Sequence, residues 1–329
     1  MLAPPTDLEH DELVRALAHW GWRAPALTYL PVGFGSHHWR AEDGDVRRAF
    51  VTVDDLSAGF RASDDLGRAF SALERAYAAA AALRNDAGLE FVVGPVHDAE
   101  GRLIRRLGER YAVSVAPFVE GRSSEYGEWE SSADRRRMAL LVGRLHAGGQ
   151  RIDAGVARRD DLGIQSRSAL SDALAALATP WTAGPFAEPA RALLAKHAQG
   201  LDVALQEYDG LAASVRETSE TWVLTHGEPH RGNVIMGEDG APYLVDWDTT
   251  LVAPRERDLQ IVLDEKLTGW DEYASVAGDV PLNPEALDLY RRRWELADIA
   301  IFVRLFRRAH EEEENTVAAF GHLRSYLDR

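Results

Sequence analysis

Residues Thr225 to Asp248 read THGEPHRGNVIMGEDGAPYLVDWD, and this stretch decides the fold. A tight polar loop comes first, then a short apolar strand over Val234–Met236, a turn across Gly237–Gly240 and a second strand over Tyr243–Val245. The second strand delivers Asp246 and Asp248 at its end. One loop and one hairpin thus gather Glu228, His230, Asn233, Asp246 and Asp248. Oxygen ligands of this kind suit a hard cation such as Mg²⁺, which is held by carboxylates together with substrate phosphates. The stretch predicts phosphoryl transfer; the plainer alternative is a pair of surface hairpin ends carrying scattered acids.

A chain of 329 residues has room for two ordinary lobes, and 46% hydrophobic with 27% charged residues is a globular composition. A formal charge of −16 argues against nucleic acid and anionic membrane as partners, since both require a basic footprint. It favours a cationic small molecule at any acid-lined cleft, or serves solubility alone. No apolar run approaches the ~20 residues that span a bilayer. The acidic start MLAPPTDLEHDELV carries no export signal, and the chain has no cysteine, so a cytoplasmic location is expected. Oligomeric state is not legible. Lys196 and Lys266 are the only lysines; the remaining positive side chains are arginines.

Upstream, a helix is expected over residues 7–22, with Thr6 or Asp7 as N-cap and Leu8, Leu13, Leu17 and Trp20 at helical spacing. A strand over 27–30 leads into PVGFGSHHWR. There Gly33 and Gly35 form a turn before a second strand around Trp39. Glycines between antiparallel strands can close over nucleotide phosphates, although an isolated G-x-G is more often a plain hairpin turn. A turn at AEDGDV (41–46) and a strand over 48–53 follow. A long Ala-rich helix is then expected over 64–84, capped by Ser63 and carrying Glu74. Strands at 90–93, 102–107 and 111–116 complete a small α+β lobe ending near Pro117. Residues 117–127 read as the crossing to a mainly helical remainder. Its helices are expected from Ser131 to His146 and over 167–178, 190–211, 259–267, 284–308 and 317–327. Glu311–Glu314 reads as a solvated linker.

The order His226-Gly227-Glu228-Pro229-His230-x-x-Asn233, followed by Asp246-Trp247-Asp248, resembles the aminoglycoside phosphotransferase family of small-molecule kinases. The likeness covers essentially the whole chain, and its loops look nearest to spectinomycin-type antibiotic phosphotransferases. The resemblance implies an α+β, two-lobed, protein-kinase-like fold. A small antiparallel-sheet lobe with one long helix (residues 1–117) would bind nucleotide, and a larger, mainly helical lobe (residues 118–329) would carry catalysis and the acceptor. It implies ATP or GTP and Mg²⁺ as cofactors. Gly33, Gly35, Ser36, Thr52, Glu74, Pro117 and Val119 would lie at the nucleotide, Asn233, Asp246 and Asp248 at the metal, and Glu228 at the catalytic-base position. His226 would brace the loop more than perform acid–base chemistry. Asp258 would fix the loop through backbone or arginine contacts, and Trp247 would pack beneath the site. His230, Trp270, Trp294 and Asp298 are acceptor candidates beside Glu228, since aromatic and acidic groups suit a cation. The same residues on amphipathic helices also read as core aromatics with solvated acids.

Two departures stand out. The family motif carries Asp where this chain has Glu228, which moves the carboxylate by about one bond; a misplacement on the order of 1 Å can cost ~10²-fold in rate. The kinase pattern also expects a Lys on the strand after the glycine turn. Thr52 stands there instead, leaving Glu74 to pair with an arginine such as Arg61 or Arg48. The leading expectation is a Mg²⁺-dependent kinase acting on a hydroxyl of an antibiotic or amino-sugar-like cation, with a role in antibiotic resistance. The alternatives are a metabolic kinase of an amino sugar, choline-like alcohol or nucleoside, and a pseudokinase-like binding protein.

Overall fold

In the computed structural model, residues 3–33, 35–44, 47–57, 65–153 and 155–328 are described. The amino-terminal part is an antiparallel sheet of β1 (Ala26–Leu30), β2 (Ser36–Asp43), β3 (Arg47–Asp55), β4 (Ile104–Leu107) and β5 (Tyr111–Pro117), in the order β1-β2-β3-β5-β4. Alternation sets its two faces. Ala49, Val51 and Val53 of β3, with Trp39, Ala41, Val113 and Val115, pack against Leu13 and Leu17 of helix α1 (His10–Leu17) and against Trp20 and Trp22. Phe50, Thr52 and Asp54 lie on the opposite face, where the hydroxyl of Tyr77 from α2 (Leu66–Asn85) reaches Asp54.

Several sequence expectations shift here. Helix α1 begins at His10 with Glu9 as an N-cap that makes no side-chain cap bond. Neither Thr6 nor Asp7 caps it. The Asp7 carboxylate accepts instead from Tyr111 Oη (2.6 Å) and Arg110 (2.7 Å), and this tether to β5 outcompetes capping. Asp65 caps α2 through the Arg68 N–H, 2.9 Å away; Arg61, Ser63 and Asp64 fall outside the described residues. Ala41–Asp43 continue β2 in register with β3, while Asp45 and Val46 lie outside the described residues. Residues 90–93 form no strand. Only Val92 bridges to Leu244, because Phe91 and Val93 hydrogen-bond to that single residue.

After β6 (Gly121–Ser123), α3 runs from Ser132 to Gly149 with Ser131 as its cap. The chain continues through α4 (Arg167–Ala175) and α5 (Ala187–Arg216) and returns as β7 (Val223–Thr225), β8 (Val234–Gly237), β9 (Pro242–Leu244) and β10 (Leu251–Ala253). Helices α6 (Glu256–Val262), α7 (Trp270–Ala277), α8 (Pro284–Phe306) and α9 (Glu314–Leu327) follow. Strands β6-β8-β9 form one small antiparallel sheet and β10-β7 another, so part of the expected crossing segment is bound to the 234–244 hairpin. The helix expected over 259–267 is instead α6, ending at Val262. The Asp264 carboxylate captures the N–H groups of Lys266 (3.0 Å) and Thr268 (2.9 Å), and that local turn ends helical pairing before α7 starts.

The chain divides into one compact unit of Met1–Asp160 with Thr221–Leu282, and a second of Asp161–Glu220 with Asn283–Arg329. In the first, Leu141, Val142 and Leu145 of α3 share a core with Leu259, Val262, Tyr273, Leu244 and Trp247, and with Leu73 and Tyr77 of α2. In the second, α4, α5, α8 and α9 bury Leu170, Leu194, Tyr208, Val303 and Phe306, and Phe186, Phe306 and Phe320 cluster. No helix among the described residues is long and apolar enough to cross a membrane.

Candidate active site

Val245 is the junction of the loop and the hairpin. Its N–H donates to the Asn233 carbonyl (3.0 Å), and its own carbonyl accepts from His226 Nε2 (2.9 Å). His226 Nδ1 in turn accepts from the Glu228 N–H at 3.2 Å. One imidazole therefore ties the start of the loop to the end of the hairpin, in the tautomer that carries its proton on Nε2. Burial pushes the His226 pKa down to about 4, so the ring is neutral near pH 7. It rests nearly edge-on against Trp247, with centroids 4.6 Å apart, and Trp247 is buried beneath the loop.

Asp258, fully buried on α6, holds the loop from below. Its carboxylate accepts the N–H groups of His226 (2.9 Å) and Gly227 (2.7 Å) and the Nε2–H of His146 (3.0 Å). The other His146 nitrogen accepts from the Tyr273 hydroxyl at 2.9 Å. Burial alone would push the Asp258 carboxyl up. The hydrogen bond from His146 and the neighbouring Arg257 guanidinium bring it net below its ordinary value. Gly227 has a φ of +104°, and a Cβ there would fall inside the Arg257 guanidinium, which bonds Thr225 Oγ1 (2.8 Å) and the Thr249 carbonyl (2.7 Å). Only glycine fits.

The Glu228 backbone is consequently pinned. Its carbonyl accepts from the His230 N–H (2.8 Å) and from Asn233 Nδ2 (3.0 Å), while its side chain stays partly exposed. With Nδ2 spent on Glu228, the Asn233 amide turns Oδ1 the other way, a carbonyl oxygen of the type a hard cation takes. Asp246 follows Val245 directly and adopts a left-handed φ of +67°, unusual for a residue other than glycine; it is exposed, and Asp248 is half-buried. Strained backbone of this sort clusters at functional sites. Among the described residues, no three His, Asp or Glu side chains gather tightly enough to cage a metal unaided. His230 Nε2 lies 3.9 Å from the Glu228 carboxylate, and its Nδ1 is buried with no hydrogen-bond partner among the described residues. Burial pushes the His230 pKa down to about 4.

The expected nucleotide residues lie on the amino-terminal sheet and its edges, apart from Glu74 on α2. Gly33 and Gly35 have φ of +70° and +95° in the β1–β2 turn, and Ser36 opens β2 with its hydroxyl donated to Asp54 Oδ1 (2.7 Å). Thr52 sits mid-strand beside His38. Glu74 is on the exposed side of α2 and makes no ion pair among the described residues; Arg48 pairs with Glu42 and Glu120. Pro117 and Val119 line a cavity of about 340 Å³ with Arg84, Glu120, Tyr243 and the 237–239 turn. Trp270 lies on α7 against Tyr273 and Arg255. Trp294 and Asp298 belong to the second unit, where Asp298 is buried and accepts from Tyr326. The sequence did not reveal the parts that His146, Tyr273 and Arg257 play around the loop, nor those of His38 and Asp54 on the sheet and Tyr77 on α2. The HH pair at 37–38 in a strand that alternates was the available signal for His38.

A polar loop braced from beneath carries an acid, an amide and two aspartates on a sheet-and-helix scaffold, the set expected of a phosphotransferase. Residues 26–300 match the model of the phosphotransferase enzyme family (APH), and the chain belongs to that family. It is 28% identical over 266 residues to protein StrN of Streptomyces griseus, covering 74% of each chain. In fold it is similar to a spectinomycin phosphotransferase solved with ADP and spectinomycin: the TM-score is 0.73 at 15% identity, covering 97% of this chain and 95% of that one. It also resembles the choline kinase LicA of Streptococcus pneumoniae, with a TM-score of 0.57 at 12% identity, covering 97% and 99%. The expected two-lobed, kinase-like α+β class matches this architecture.

Proposed function

We propose that the chain is a cytoplasmic, Mg²⁺-dependent kinase that moves the γ-phosphate of ATP or GTP to a hydroxyl of a small cationic acceptor. Residues 1–117 form the nucleotide lobe and residues 118–329 the catalytic and acceptor lobe. The observation that carries this reading is the anchoring of Asn233: its amide nitrogen is spent on the Glu228 carbonyl, which leaves Oδ1 for a cation, and its main-chain carbonyl is bonded by Val245, the residue before Asp246. Bound Mg²⁺ would neutralise phosphate charge there, held by Asn233, Asp246 and Asp248. Glu228 accepts the proton of the attacking hydroxyl, and its pinned backbone fixes where the longer side chain starts. His230, whose Nε2 lies 3.9 Å from the Glu228 carboxylate, stands on the acceptor side of the base. The formal charge of −16 favours a cation such as an amino sugar or an aminoglycoside-like antibiotic. A complex solved with spectinomycin in a protein of the same fold is in keeping with that class.

The test is a thermal titration of the wild-type protein with ATP and GTP, each with and without Mg²⁺. Stabilisation by nucleotide that grows with Mg²⁺ is expected, since a ligand that binds only the folded state raises its stability with concentration. Absence of any metal-dependent nucleotide effect would sink the reading.

A further inference from the structure

In the kinase arrangement a strand lysine does two jobs at once. It ties the sheet to the long helix through a glutamate, and it meets the nucleotide phosphates. In this chain the jobs are separated. The tie between β3 and α2 is uncharged on the helix side: Tyr77 Oη donates to Asp54 Oδ2 (3.2 Å), and Ser36, the first residue of β2 after the glycine turn, donates to Oδ1 of the same carboxylate (2.7 Å). Glu74 takes no part in it. The sheet is thereby held to the helix without a lysine, and a positive or donor group for the phosphates is still required.

The geometry points to His38 as the group that meets the nucleotide phosphates from the sheet side, in place of the lysine that position 52 lacks. This rests on the nucleotide-dependent reading above. His38 is the direct cross-strand partner of Thr52, and its Nδ1 lies 3.3 Å from Thr52 Oγ1. Its ring lies against Phe50 with centroids 4.9 Å apart, so the imidazole is fixed on both its edge and its face. The outer nitrogen is thereby aimed along the strand towards the turn. A Cβ placed on Gly33 would sit 3.2 Å from His38 Nε2, which puts that nitrogen directly beneath the glycine turn. A phosphate covered by the turn meets an imidazole there, as a donor when neutral and as a cation when protonated. Thr52 then has a stated role: it orients the ring. His37, its neighbour, points to the other face, where it faces Tyr29, so the pair is not interchangeable.

The test compares equilibrium binding of Mg·ATP and of adenosine to the wild-type protein and to His38→Ala, His38→Gln and His38→Lys. Loss of a charge-assisted phosphate contact should weaken Mg·ATP by about tenfold to a hundredfold in His38→Ala. Adenosine binding should stay within about twofold, which also reports that the sheet is folded. His38→Lys should restore most of the ATP affinity, and His38→Gln should lie between. Equal loss of ATP and adenosine would make His38 a structural residue and overturn the inference, as would wild-type ATP affinity in His38→Ala. A wild-type protein that binds neither ligand would refute the nucleotide reading itself, a different failure from these two.

Discussion

The catalytic loop and the glycine turn both belong to the first unit, yet they are held by opposite means. Around Gly227 a buried carboxylate collects two backbone N–H groups and a histidine, and nothing there can move without stranding a donor. Around Gly33 the fastenings are strand register, one tyrosine hydroxyl and an imidazole against a threonine. The contrast teaches where this chain keeps its fixed geometry and where it has tolerated exchange of parts. Each region is anchored on a buried carboxylate, but Asp258 is met by backbone N–H groups and a histidine whereas Asp54 is met by two hydroxyls.

The sharpest way to break that comparison is to delete one anchor from each side and unfold both variants in urea. Asp258→Ala leaves three buried donors without an acceptor and should cost about 3–5 kcal/mol. Tyr77→Phe removes a single hydrogen bond and should cost about 1 kcal/mol. Equal losses would erase the distinction between the two regions.

Acid should also act mainly on the loop. In the unfolded chain His226 takes a proton near pH 6.5, whereas the folded chain resists protonation until about pH 4. Its contribution is therefore complete above pH 6.5 and is lost as pH falls through that window, by at most about 1.4 kcal/mol per pH unit. Measured between pH 7 and pH 5, His226→Gln should start less stable and lose less per unit. A slope as steep as that of the wild type would assign the acid sensitivity to other groups.

The loop, the hairpin and the strands of the amino-terminal sheet were legible because their signals are local, whereas the sheet order was not and residues 90–93 form no strand. Glycine turns, alternation over 48–53 and the DWD at the end of a short strand each lie within one element. Asp258 was readable as a loop anchor, but its partner His146 was not, since the two are 112 positions apart and helical periodicity does not say which face meets which. Distance also misled the reading of Asp7: it looks like an N-cap, yet Tyr111, 104 residues away, claims its carboxylate. On the sheet, the kinase resemblance was enough to match position 52 to a missing lysine. The substitutes, His38 for one job and Tyr77 with Asp54 for the other, emerge only from cross-strand register and helix packing.

The most direct measurement follows transfer of the γ-phosphate from labelled ATP or GTP, with Mg²⁺, to a panel of aminoglycoside-like antibiotics and amino sugars. It compares the wild-type protein with Glu228→Gln. Transfer to at least one acceptor is expected from the wild type, and Glu228→Gln should fall by about 10²–10⁴-fold while its Mg²⁺-dependent stabilisation by nucleotide is unchanged. Undiminished turnover in Glu228→Gln would contradict the assignment of Glu228 as the base, and with it the account of why the loop is braced as it is.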